Sequence, residues 1–289
     1  MPVADQQLLR GVAGSIQTTI RDSDGDPASG LTVTVGVTKA DGTVVIADGT
    51  AASEVGTTGT YTVTATAAQL AQLELLTATW TVGSETRAVT THEIVGGVYC
   101  DVGDIKTGEP SLEAASAEQL KQVRREVEDE FEQICGLAFV PRFARERVDG
   151  TGRSTIVVPH PYVRSVRSVR VYTGTDFNEF DASELAALAA DRSGRIVRTD
   201  GATFPAGIRN IVVAYEHGLD RPPADVKRAA VRRIRARHHM ARSAIPDRAV
   251  SFTADNGATY RLATPGVTAT GDPEIDAVLD RYSMRFGIA

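Results

Sequence analysis

Between residues 224 and 242 the basic side chains Arg228, Arg232, Arg235, His239 and Arg242 follow one another at spacings of four, three, four and three. On a helix that rhythm lines them along one face. Such a stripe can act on a polyanion, since duplex DNA passing nearby would feel it through its phosphates. It can equally pair with carboxylates of an adjacent subunit, and the spacing alone leaves both uses open.

Other residues capable of chemistry lack the company that chemistry needs. His238 and His239 are neighbours, so on a helix they point about 100° apart, poor geometry for joint metal ligation. His160 stands between two prolines, His217 between Glu216 and Gly218, and nothing around Cys100 and His217 supports a nucleophile–base pair. Asp22, Asp24 and Asp26 alternate as in a calcium loop. However, Val33 occupies the position of the bidentate Glu and Pro27 follows the third Asp, so a polar turn is the better reading. There is no glycine-rich phosphate loop, no Gly-x-Ser-x-Gly and no His-Glu-x-x-His. The chain therefore reads as a non-enzyme, with no cofactor and no metal expected.

The stripe needs a helix, and the sequence supplies one. Pro222-Pro223 opens it, Asp225 suits its first turn, Val226, Ala230, Ile234 and Ala241 form its apolar side, and Pro246 stops it. An earlier helix begins at a capping box, Ser116 with Gln119, runs through Leu120, Val123, Val127, Phe131 and Ile134, and ends at Gly136. Between the two helices lie strand-like runs at 155–158, 166–172 and 208–215, with a short helix at 183–190, making a β insert. After Ala249 come a β-like piece at 251–262, a Gly/Thr/Pro linker and an amphipathic helix at 273–285. Its apolar residues Ile275, Val278, Leu279, Tyr282 and Met284 suit either an anchor that orders on a partner or a terminal helix packed on its own domain.

Residues 11–95 differ in character. They are rich in Thr, Val, Ala and Gly, with alternating runs at 31–37, 59–65 and 77–82 and turn clusters at 22–27, 41–42 and 56–59. This predicts a small β-sandwich with Trp80 in its core and a locally helical stretch at 67–76. Of the net charge of −6, all is held by residues 1–97, which carry ten acidic and four basic side chains. The change of composition after Gly96-Gly97 marks a module boundary. Two cysteines, Cys100 and Cys135, are too few for a disulfide framework and are expected as buried thiols. No apolar run reaches the ~20 residues of a membrane span, and no secretory signal is read at the start of the chain. A soluble protein assembled in the cytoplasm is expected.

Three stretches carry a resemblance: Tyr99-Cys100-Asp101-Val102-Gly103-Asp104-Ile105-Lys106, Cys135-Gly136-Leu137-Ala138-Phe139, and Val212-Val213-Ala214-Tyr215-Glu216-His217-Gly218 leading to Pro222-Pro223-Ala224-Asp225-Val226-Lys227. With the near-repeat in 159–172, residues 98–289 resemble the head-tail connector (adaptor) family of long-tailed bacteriophages. The N-terminal module, through Gly59-x-Tyr61-x-Val63, Trp80 and Glu93-x-Val95, resembles immunoglobulin-like domains of bacterial surface and phage virion proteins.

The expected fold class is thus α+β multidomain: an immunoglobulin-like β-sandwich at 1–97, a helical connector domain with a β insert at 98–269, and a C-terminal docking segment at 270–289. The resemblance implies a ring of about twelve copies in the virion neck, attached below the portal protein. It would prolong the channel for double-stranded DNA and offer a surface to the next neck or tail-completion protein. It also implies a portal-docking role for the apolar residues of the final helix. The competing expectation is an adhesion module that binds a glycan or protein through its sandwich.

Overall fold

The computed structural model describes residues 4–240, the strands at 251–253 and 259–261, and residues 269–284. In chain order the strands β1 (Gln6–Leu9), β2 (Gly14–Thr19), β3 (Val33–Lys39), β4 (Val44–Ala51), β5 (Ser53–Glu54), β6 (Thr60–Ala65), β7 (Glu74–Val82) and β8 (Glu85–Val95) come first. Helices α1 (Val102–Lys106) and α2 (Ala117–Cys135) follow. Next are β9 (Arg142–Gly150), β10 (Thr155–Val157), β11 (Val163–Thr173), β12 (Asp176–Glu179), the short helix α3 (Ala182–Ala186), β13 (Leu188–Ala190), β14 (Arg195–Arg198) and β15 (Gly207–His217). The chain continues with α4 (Ala224–Met240), the hairpin β16 (Ser251–Thr253) and β17 (Thr259–Arg261), and α5 (Pro273–Tyr282).

Two compact units emerge, and each is built from two separate pieces of chain. One takes Met1–Gly97 with Pro141–Gly218, the other Val98–Val140 with Leu219–Ala289. This grouping departs from a linear division at residues 97 and 269, because the β insert packs with the N-terminal strands.

In the first unit, one sheet has the order β1-β8-β7-β3-β4 and a second has β2-β6-β5. Their inner faces enclose one core, with Ile16, Tyr61 and Ala65 from the smaller sheet meeting Val35, Val37, Ala78 and Trp80 from the larger. Alternation is visible in β7, whose residues switch between buried and half-buried along most of its length. Trp80 is fully buried and its indole N–H donates to Thr90 Oγ1 at 2.9 Å. Tyr61 is also fully buried, and its hydroxyl donates to Ala28 O and accepts from the Leu31 N–H. That phenol ties the β2–β3 connection to the core. The Asp41-Gly42 turn joins β3 to β4 as expected, with Gly42 at a φ of 90°. The stretch 67–76 differs from its helical expectation. It is a turn followed by the start of β7, and Leu70, Leu73 and Leu76 are all buried, so tertiary burial overrides local propensity.

The insert forms an antiparallel sheet, β12-β11-β15-β9, and a smaller one, β10-β14-β13. Val169, Val171, Ile211, Val213 and Tyr215 from the first close over Ile156, Ile196, Phe180 and Phe204. The helix expected at 183–190 is shorter, since residues 188–190 pair with β14. The insert is fixed to the sandwich near the beginning of β7. There Phe143 packs with Leu73, Leu75 and Ala214, and Arg142 Nη1 donates to Glu93 Oε2 at 2.8 Å.

The second unit is helical. Ser116 caps α2 by accepting from the Gln119 N–H, and Gly136 ends it in the left-handed conformation with a φ of 64°. Leu120, Val127 and Phe131 are buried, as are Val226, Ala230 and Ile234 of α4 and Ile275 and Leu279 of α5. No helix among the described residues is long and apolar enough to cross a membrane.

Candidate functional site

The basic stripe lies on α4, and most of its charge is used inside its own unit. Arg235 reaches the end of α1, where Nε donates to Ile105 O at 2.9 Å and Nη2 to Thr107 O at 2.6 Å and Asp104 O at 3.2 Å. A guanidinium placed there satisfies carbonyls that the end of a helix leaves unpaired. Arg232 pairs with Asp272 at 2.8 Å and also with Glu274, both at the start of α5. His239 lies 3.9 Å from Glu109. Arg228 is exposed, and Arg242 lies outside the described residues.

The adjacent face of α4 is consumed as well. Arg233 donates twice to Glu130 of α2, Arg237 contacts both Glu126 and Glu130, and Lys227 meets Asp104 at 2.7 Å. That last contact holds the Asp104 carboxyl below, and the Lys227 ammonium above, their ordinary ranges. Composition explains the pattern: residues 98–140 hold ten acidic and four basic side chains, residues 219–289 eight and twelve. Helix α4 therefore joins the two halves of the helical unit, through Arg235 of the stripe and through Lys227, Arg233 and Arg237 beside it. The spacing could not reveal this, because Glu130 is 103 residues from Arg233.

The apolar residues of the final helix are also placed within this unit. Ile275 and Leu279 are buried and Val278 is half-buried. Tyr282 stacks edge-on against Phe139, which stands in the same relation to Tyr99. Its hydroxyl donates to the Asp225 carboxylate at 3.0 Å, and its pKa is raised by burial and by that carboxylate. The Met284 N–H donates to Cys135 O at 2.9 Å. Ile275, Leu279 and Tyr282 are thus packed within the helical unit, and Met284 is held to it through its backbone.

Cys100 and Cys135 are buried, and burial pushes both thiols up to about 12. Neither is poised as a thiolate nucleophile. In the first unit His160 and His217 stack with ring centres 4.2 Å apart, and His160 Nδ1 lies 2.8 Å from the Tyr215 hydroxyl. Burial holds both imidazoles below their ordinary value, His217 the more strongly, with His160 and Arg142 adding to it. Among the described residues no group of three or more His, Cys, Asp or Glu side chains converges as a metal site.

A second constellation was not visible from spacing. On the outer face of the insert sheet, Arg145 and Arg147 of β9 stand opposite Ala214 and Val212 of β15. Arg170 of β11 stands opposite Val212 on the other side. The Arg147 guanidinium lies 4.9 Å from the centre of the Tyr172 ring, and Arg170 lies 5.2 Å from that of Phe177 while pairing with Glu179. Phe177 is 53% exposed. Long arginine stems roof a floor of small residues here, leaving charge and ring edges outermost.

No family model matches the chain and no curated protein matches it. Among solved structures, the virion of a native gene transfer agent particle contains a chain with 13% identity and a TM-score of 0.43, covering 62% of this chain and 84% of that one. A chain in the neck of a native gene transfer agent particle, computed with C12 symmetry, matches at 14% identity and a TM-score of 0.39, covering 65% and 94%. The filamin domain of Lin-41 matches at 19% identity and a TM-score of 0.24, covering 32% and 84%. These likenesses are partial, with each of these TM-scores below 0.5.

Proposed function

We propose that this protein is a structural subunit of a phage-type neck, a head-to-tail connector that forms a ring of about twelve copies below the portal protein. The ring prolongs the channel for double-stranded DNA and presents a docking surface to the next neck or tail-completion protein. The observation that carries this reading is the element order of residues 98–289. A capped helix, α2, is followed by an antiparallel β insert, a Pro-opened helix, α4, and a closing helix, α5, that returns to the first two. This is the order implied by the resemblance that the three stretches quoted above carry. The N-terminal sandwich is read as immunoglobulin-like. Its pairing of β2-β6-β5 against β8-β7-β3-β4 is that expected of such a domain. Its acidic surface suits the outside of a neck, since an acidic lobe in the channel would repel DNA.

Within this reading, Arg228, exposed among the described members of the stripe, is open to DNA or to a neighbour. Any contact of α5 with portal uses its outer side, Glu274, Ala277 and Arg281, which are exposed. Light scattering and negative-stain imaging of the purified chain, with and without portal rings, test the proposal. Rings of about a dozen copies, alone or on portal, support it. A chain that stays monomeric and ignores portal overturns it and favours the adhesion reading.

A further inference from the structure

The first unit has an exposed acidic turn before the start of β3 and an arginine-bearing sheet face held near the far end of that strand. Strand β3 starts at Val33, just after the β2–β3 connection with Asp22, Asp24 and Asp26, and ends at Lys39 before the Asp41 turn. Its seven residues span roughly 20 Å at about 3.3 Å per residue. At the far end, the beginning of β7 holds the insert sheet: Arg167 Nη1 bonds Leu73 O, and Arg167 pairs with Glu74 and Glu216. Phe143 packs on Leu73 and Arg145 follows it two residues along β9, so the arginine face begins at this end.

The acidic end is a formed surface. Asp22 Oδ1 accepts from the N–H groups of Asp24 and Asp26 at 3.0 Å, and Arg21 donates to Gly25 O. The Asp24 and Asp26 side chains point outward from that turn and are exposed. The arginine face offers Arg147, whose guanidinium lies over the Tyr172 ring, together with Arg145 and the exposed Phe177. Within one copy the two patches lie at opposite ends of the sandwich and cannot meet.

We propose that the Asp24/Asp26 turn of one copy docks on the Arg145/Arg147/Phe177 face of the next. The contact is head-to-tail, and repeated head-to-tail contacts of one kind either close into a ring or grow into a filament. Charge complementarity selects a second copy of this chain as the occupant: the exposed Asp24 and Asp26 carboxylates match the exposed Arg147 guanidinium and its neighbour Arg145, on an insert, residues 141–218, that carries eleven arginines against nine carboxylates. The inference rests on the ring reading above and assigns that ring one of its interfaces.

The test uses two full-length variants in sedimentation velocity at low salt. Asp24→Lys with Asp26→Lys makes both patches basic, and Arg145→Glu with Arg147→Glu makes both acidic. The positions lie on the surface of the unit, and an unchanged thermal transition checks that each variant is folded. The expected result is that the wild type assembles and does so less as salt rises, that each variant alone loses the assembly, and that an equimolar mixture regains it. A mixture that stays dissociated, or a variant that assembles like wild type, overturns the contact while leaving rings to the connector reading. A wild type that stays monomeric even with portal removes both. A labelled single-stranded oligonucleotide adds the remaining arm. If Arg145→Glu with Arg147→Glu abolishes its binding and leaves assembly intact, the face belongs to nucleic acid and the self-contact is wrong.

Discussion

Arg233 and Glu130 meet in parallel across α4 and α2: the guanidinium Nε and Nη2 each donate to one carboxylate oxygen, at 3.0 and 2.7 Å. Both side chains are mostly covered, at 16% and 17% exposure. Two-pronged pairs of this kind hold orientation as well as charge. The pair clamps two segments that are distant in sequence, and it does so on the helix that carries the basic stripe.

Arg233→Lys keeps the charge and loses the fork. We expect a loss of about 1–2 kcal/mol, the scale of a charged hydrogen bond in a partly buried site, read as a lower urea midpoint at unchanged slope. An unchanged midpoint would show that the clamp contributes nothing to the helical unit.

Tyr61→Phe removes one hydroxyl from a fully buried ring. The Ala28 carbonyl and the Leu31 N–H then lose their partner, at 3.0 and 2.9 Å in the native structure. The loss of a hydrogen bond costs about 0.5–1.5 kcal/mol net, and these groups are half-buried, so the thermal midpoint should fall modestly while the secondary structure stays the same by circular dichroism. A variant as stable as wild type would mean that water takes over both bonds.

Much of the helical unit was legible because its signals are local. Ser116 and Gly136 bound α2, and Pro222-Pro223 opens α4, within a turn of the residues they control. The stripe's rhythm was legible for the same reason, whereas its partners were not, since Asp272 and the carbonyls of Ile105 and Thr107 come from other segments. Strand β9 escaped notice because Arg142, Arg145 and Arg147 break any apolar alternation. Arg142 is nonetheless only 3% exposed, since Glu93 of the sandwich neutralises it. The grouping of insert with sandwich depends on Phe143 meeting Leu73, a contact that no window of sequence contains.

The His160–His217 stack makes a pH prediction. Burial keeps both imidazoles neutral, so their folded pKa values lie below the unfolded value of about 6.5. Above that value neither state binds the proton and stability is flat. As pH falls below it, the unfolded chain takes up protons that the folded one refuses, and stability drops. The urea midpoint of the full chain should therefore decline between pH 7 and pH 5, before the low-lying carboxyls of Asp191 and Asp200, at about 2, are reached. His217→Phe, which retains a ring in the stack, should flatten that decline. A wild-type midpoint that is constant over this interval would contradict the assignment.

The final helix separates two roles that its sequence left open. Leu279 is fully buried and its carbonyl lies 3.6 Å from Cys135 Sγ, so its side chain is already spent on the helical unit. Leu279→Ala should cost about 2–4 kcal/mol in the isolated chain, the range for a truncated core leucine, whether or not portal is present. Ala277→Glu changes the exposed side of the same helix and should leave that stability within about 0.5 kcal/mol. If portal binding uses the outer side, Ala277→Glu weakens it while the unfolding transition stays put. The opposite pattern, in which Leu279→Ala leaves the isolated chain as stable as wild type and abolishes only portal binding, would mean that the helix leaves its own unit to serve as the anchor.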